Sequence, residues 1–135
     1  MIVLDACVVI ALLEKGHIHS QPAATIMDHE EELLLHPLTY SEILVGAVRV
    51  NSETLVTQAI HNLGIEIWSP DDAHPSRIAH LRISTRLRLP HCCVLDTVAY
   101  HGATLATFDQ GLIKTATSLG WEVLTTEDPV GRLTY

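Results

Sequence analysis

VLDTVAYHGATLATFD, residues Val94–Asp109, decides the fold. Asp96 opens a short helical run, Gly102 ends it, and Ala103–Thr107 reads as a short apolar strand that stops just before Asp109. A helix of about eight residues covers about 12 Å, and a strand of about five residues about 16 Å. The two run in opposite directions, so the chain goes out and returns. Asp96 and Asp109 are therefore expected to finish close together at the carboxyl end of the strand. Open α/β sheets place their sites at that edge.

The same alternation extends outward in both directions. Met1–Leu4 reads as a buried strand, Asp5 as the junction, and Ala6–Leu13 as a continuous apolar helix suited to a position over a parallel sheet. Ser20 is expected to cap a second helix with Pro22 in its first turn, and Leu33–His36 to form a strand that Pro37 breaks. Thr39 and Glu42 have capping-box spacing at the head of a helix over Tyr40–Val50. Asn51 or Ser52 caps a fourth helix, Ile65–Trp68 is a strand, and Asp71 or Asp72 caps a fifth helix that runs to about Leu87 before Pro90 stops it. A helix from Asp109 to Leu119 and a strand over Trp121–Leu124 follow, leaving Thr125–Tyr135 as a polar tail. About five short strands alternating with helices predict a parallel sheet covered on both faces, with right-handed crossovers. At 135 residues without repeats or linkers, the chain reads as one domain over residues 1–135.

Apolar residues make up 47% of the chain and aromatics only 4%, so the core is aliphatic. No stretch reaches the roughly 20 apolar residues that span a bilayer, and Asp5 interrupts the N-terminal apolar run, which argues against a signal peptide. A cytoplasmic protein with no membrane association is expected. Three cysteines, two of them adjacent, form no disulfide framework. The net charge of −8 argues against a basic nucleic-acid footprint. Two features soften that: four of the eight basic residues lie within Arg77–Arg88, and carboxylates holding a divalent cation invert their local charge.

A parallel sheet ends all its strands at one edge, and Asp5, Glu42, Asp96 and Asp109 are all expected there. Taken singly, each has a simpler explanation as a helix-start residue. Taken together they repel, by roughly 4 kcal/mol per pair at about 4 Å and an effective dielectric of about 20. Arg49 and Lys114, the nearest cations in sequence, have no i±3 or i±4 spacing to any of the four. A divalent cation is the economical counter-charge, and oxygen-only ligands favour Mg²⁺ or Mn²⁺ over Zn²⁺. Such a site suits phosphodiester hydrolysis. Arg82 and Arg86, four apart on the fifth helix, are candidates for contact with an RNA backbone or for a solvated face. His91, Cys92, Cys93 and His101 invite a zinc reading, but adjacent cysteines are poor co-ligands.

IVLDACVVIALL (residues 2–13), TYSEILVG (39–46) and LDTVAYHGATLATFD (95–109), in this order and spacing, resemble PIN domains of the VapC toxin type. The resemblance covers essentially the whole chain. It implies a three-layer α/β/α sandwich with a five-stranded parallel sheet. It also implies a Mg²⁺-dependent endoribonuclease, with Mn²⁺ as a substitute, that cuts single-stranded or structured RNA as the toxin of a toxin–antitoxin pair. Asp5, Glu42, Asp96 and Asp109 match the family's catalytic, metal-holding acids, and Thr107 matches the hydroxyl residue that helps hold the site. Cys7 stands where the family usually has Ser, Thr or Asn, and a thiol is the weaker hydrogen-bonding group. A homodimer and a VapB-like antitoxin partner are implied as well. The alternative is a catalytically silent PIN-like module that binds RNA or protein. A phosphoryl-transfer receiver is disfavoured, since Asp5-Ala6 supplies no acidic pair and Thr107–Asp109 no lysine.

Overall fold

The computed structural model describes residues 1–29 and 31–126, so most of the expected polar tail lies outside the described residues. Five short strands, β1 (Ile2–Leu4), β2 (Leu33–Leu35), β3 (Ile65–Ile67), β4 (Thr104–Ala106) and β5 (Val123–Leu124), pair in the order β3-β2-β1-β4-β5. Every pairing is parallel. Seven helices lie among the described residues: α1 (Ala6–Leu13), α2 (Ser20–Met27), α3 (Pro37–Arg49), α4 (Glu53–Asn62), α5 (His74–Thr85), α6 (Leu89–His101) and α7 (Gln110–Ser118).

Side chains alternate across a strand, so each strand feeds both faces of the sheet. Ile2, Leu4, Leu33, Leu35 and Ala106 pack with Val8, Val9, Ile26, Ile43 and Ile60 under α1–α4. Val3, Leu34, Leu105 and Val123 point the other way and pack with Val94, Leu95, Val98, Leu112 and Ile113 of α6 and α7. The result is the expected three-layer α/β/α arrangement. α5 is held outside the sheet by Ile78, which packs with Cys92 and Cys93 of α6. No described helix is long and apolar enough to cross a membrane.

Three helix starts differ from expectation. Pro90 is in the first turn of α6 rather than a stop after the fifth helix, since a proline there has no intrahelical N–H bond to lose. Asp96 therefore lies in mid-helix, not at a helix start. Thr39 sits inside α3, whose cap is His36: its Nδ1 accepts the Leu38 N–H at 2.9 Å. Thr39 Oγ1 is buried without a partner, so the Thr39–Glu42 capping box does not form. Ala73, rather than Asp71 or Asp72, precedes α5. The helix end at Gly102 is as expected, with φ at 58° in the left-handed region that a glycine takes without strain.

Leu105 is fully buried on β4, beside the central strand. Leu105→Ala is expected to cost about 2–5 kcal/mol in urea-induced unfolding; a loss under about 1 kcal/mol would contradict this packing.

Candidate active site

From β1 the chain steps outward through β2 to β3, and later through β4 to β5 on the other side. The strand order thus reverses between β1 and β4, where a crevice opens beyond the carboxyl ends. Asp5 and Asp109 follow these two strands. Asp5 N–H donates to Ala106 O at 2.9 Å, continuing the ladder, so the Asp5 backbone is as fixed as the sheet. Its buried carboxylate accepts three hydrogen bonds: Oδ1 takes the Ala6 N–H at 2.9 Å, and Oδ2 takes the Thr107 hydroxyl at 2.7 Å and the Cys7 thiol at 3.4 Å. Thr107 Oγ1 in turn accepts the Asp109 N–H at 3.1 Å. One hydroxyl therefore sets the spacing of two acids 104 positions apart in the chain. Asp109 caps α7 through Oδ1, which accepts the Leu112 N–H at 2.8 Å, leaving Oδ2 facing His91 Nε2 at 4.0 Å.

Glu42 comes from α3, released by the shift of that helix's start from any capping duty. Burial and, next, the Asp5 charge raise its pKa, while His91 and Arg88 act the other way. Among the described residues, no hydrogen bond holds its carboxylate. Asp5, Glu42 and Asp109 line one cleft of about 590 Å³, together with Cys7, His17, His19, Arg88, His91 and Phe108.

Asp96 is not among them, which corrects the expectation that four acids meet. It lies five residues after His91, about 140° further round α6 at 3.6 residues per turn. Its buried carboxylate turns to α5. There Arg77 donates from Nε to Oδ1 at 2.8 Å and from Nη2 to Oδ2 at 3.1 Å, and His74 Nδ1 contacts Oδ2 at 2.7 Å. Arg77 also grips Asp71 with both terminal nitrogens, lowering that carboxyl to about 2. The expectation that no arginine neutralises the acids fails here because Arg77 reaches across a helix pair, a contact that spacing within one helix does not reveal. His74 Nε2 meets His36 Nε2 at 2.7 Å. Burial and then the His74 charge push the His36 ring down to about 4, so it is neutral at pH 7.

Arg82 and Arg86 lie at the end of α5 and do not line the cleft; Arg88, at the α6 N-cap, does. His91 and Arg88 were missed by reasoning that began the helix at Asp96. Reading Pro90 as a first-turn residue would have found both. Cys7 lies where the sequence places it, bonded to Asp5 and accepting the Phe108 N–H at 3.3 Å. Burial and then Asp5 push its thiol up to about 12, so it stays protonated and is no nucleophile.

A family model described as PIN domain matches residues 2–128. Among solved structures, a toxin–antitoxin complex from Klebsiella pneumoniae is similar at 19% identity, with a TM-score of 0.77, over 95% of this chain and 99% of that one. FitAcB from Neisseria gonorrhoeae is similar at 17% identity and a TM-score of 0.70, over 93% and 98%. FitAB bound to an IR36 DNA fragment is similar at 18% identity and a TM-score of 0.73, over 100% and 99%. No curated protein matches the sequence.

Removing Arg77 leaves a buried carboxylate with only His74 beside it. Arg77→Ala is expected to destabilise the fold in chemical denaturation, and adding Asp96→Ala should restore part of that; full stability in the single variant would refute the pairing. At Glu42, whose pKa burial and then the Asp5 charge raise, removal of the Asp5 charge should lower the titration midpoint. Carboxyl ¹³C shifts against pH in Asp5→Asn check this, and an unmoved midpoint would contradict the coupling.

Proposed function

The chain belongs to the PIN-domain family, and on that premise we propose that it is a metal-dependent endoribonuclease acting as the toxin of a toxin–antitoxin pair. The observation that carries this reading is Glu42: a carboxylate freed from capping, its pKa raised by burial and then by its neighbour Asp5, lining one cleft with Asp5 and Asp109. Three carboxylates in one cleft, with Arg88 the arginine that acts on Glu42, fit a hard divalent cation. Asp5, Glu42 and Asp109 would hold Mg²⁺ or Mn²⁺, which supplies an activated water and charge stabilisation on the scissile phosphate. His91 adds an imidazole to the oxygen donors, which favours Mn²⁺ relative to an all-oxygen site.

The chain's own residues do the positioning. Thr107 holds Asp5 and Asp109 in fixed register. Cys7 supports Asp5 with a weaker bond than a hydroxyl would give. Arg88 stands at the cleft as the cation for an RNA phosphate, in place of Arg82 and Arg86. The similarity to a toxin–antitoxin complex from Klebsiella pneumoniae supports an antitoxin partner, which would be VapB-like on the resemblance above. The proposed homodimer accords with exposed Val45, Val48 and Leu55 on α3 and α4.

A second reading, a PIN module that binds RNA without cutting it, is favoured by one observation: His91 stands in the cleft while Asp96 is committed to Arg77. Cleavage assays separate the two. With single-stranded RNA, activity should require Mg²⁺ or Mn²⁺, vanish with chelator, and fall at least about a hundredfold in Asp5→Asn and Glu42→Gln, since several kcal/mol of transition-state stabilisation is lost. Cleavage that survives chelation or Asp5→Asn overturns the mechanism; binding of Mn²⁺ and RNA without turnover selects the second reading. Arg88→Ala should weaken RNA binding and reduce its salt slope by about one. An unchanged slope would remove Arg88 from the interface.

A further inference from the structure

The residues around Asp96 form a second cluster, apart from the acidic cleft. His36 ends β2 and caps α3, His74 opens α5, and Cys93 lies in the second turn of α6. One ligand atom from each lies within 4.8 Å of the other two, and His36 Nε2 and His74 Nε2 are 2.7 Å apart. We propose that His36, His74 and Cys93 form a transition-metal site, of the kind that takes Zn²⁺, held by two imidazoles and one thiolate with one position left for water.

Four observations converge on it. The donor set is nitrogen and sulfur, which suits Zn²⁺ and not Mg²⁺. His36 and Cys93 are each 6% exposed, and the His74 side chain is 12% exposed, giving a sheltered site. His74 turns its other nitrogen, Nδ1, to the Asp96 carboxylate at 2.7 Å. That is the carboxylate–histidine arrangement which fixes a metal ligand's tautomer and raises its basicity, so the His74 Nε2 lone pair faces the cluster. Finally, Asp96 is itself held by Arg77, so this orienting carboxylate is immobile.

Without metal, His36 Nδ1 accepts the Leu38 N–H, its proton rests on Nε2, and that proton bridges the 2.7 Å to His74. An ion takes the place of this proton. The proton passes to Nδ1, the Leu38 bond is given up, and the Cys93 thiol releases its own proton to solvent as the sulfur–metal bond forms. The two Nε2 atoms part by about 0.6 Å, to roughly 3.3 Å, to suit tetrahedral metal–nitrogen distances of about 2.0–2.1 Å, a side-chain rotation. Two hydrogen bonds, His36 to His74 and Leu38 N–H to His36, are exchanged for three metal bonds. The ion would tie the starts of α3 and α5 to α6, and so pin the helices that present Glu42 and His91. The inference does not rest on RNA cleavage by the acidic cleft.

Cobalt substitution on the full chain, stripped with chelator, tests it. One equivalent of Co²⁺ should produce thiolate-to-cobalt charge-transfer absorption with the d–d bands of a tetrahedral site, and Zn²⁺ should bleach both. The charge-transfer absorption should be lost in Cys93→Ser, persist in Asp5→Asn, and require about 10–100-fold more Co²⁺ in Asp96→Asn. No charge-transfer absorption in the unaltered chain, or absorption that survives in a folded Cys93→Ser or Cys93→Ala variant, overturns the proposal. The unaltered chain decides the matter even if the variants fail to fold.

Discussion

The repulsion among carboxylates at the carboxyl edge of the sheet is the constraint on which the rest depends. Parallel strands bring Asp5 and Asp109 to one rim, and α3 adds Glu42. Two such charges about 4 Å apart cost roughly 4 kcal/mol at an effective dielectric of about 20, a large share of a small domain's net stability. The fold answers that cost in two ways. It removes Asp96 from the group by giving it Arg77, and it binds Asp5 with donors: one backbone N–H, one hydroxyl and one thiol. Glu42 receives no such donors, and its raised pKa records what is left uncompensated.

Thr107 is the hinge of this arrangement. Its hydroxyl donates to Asp5 and accepts from the Asp109 backbone, so the ends of β1 and β4 are joined by a side chain as well as by the ladder. Cys7 occupies the same neighbourhood and contributes less, because sulfur bonds are longer and weaker than those of oxygen. A mixed cleft results, acidic at its floor with Arg88 and three histidines around it. That mixture would reconcile an acidic chain with the proposed polyanionic substrate: the cations beside the cleft are local, and net charge does not report them.

The strands and their parallel sheet were legible because burial on two faces leaves an unbroken aliphatic run, as in Ile2–Leu4 and Leu33–Leu35. Asp5 and Asp109 were legible for the same reason, since each directly follows a strand. Helix starts were harder. Pro90 and Pro37 each mark a first turn, yet a proline equally marks a stop, and choosing the stop displaced Asp96 to a helix end and hid His91. The pairing of Arg77 with Asp96 was beyond reach, because it depends on how α5 lies against α6 and not on spacing within either. The His36–His74–Cys93 cluster was invisible for a similar reason: three separate elements supply it.

The central claim is that Asp5, Glu42 and Asp109 are tolerated together because a divalent ion sits among them, while Asp96 belongs to Arg77. Anomalous diffraction from crystals grown with Mn²⁺ measures this directly. The account predicts a manganese peak in the cleft within bonding distance of carboxylate oxygens from Asp5 and Glu42 or Asp109, with Asp96 still paired to Arg77. A cleft without manganese at saturating metal, or a peak bound by Asp96 released from Arg77, would contradict it.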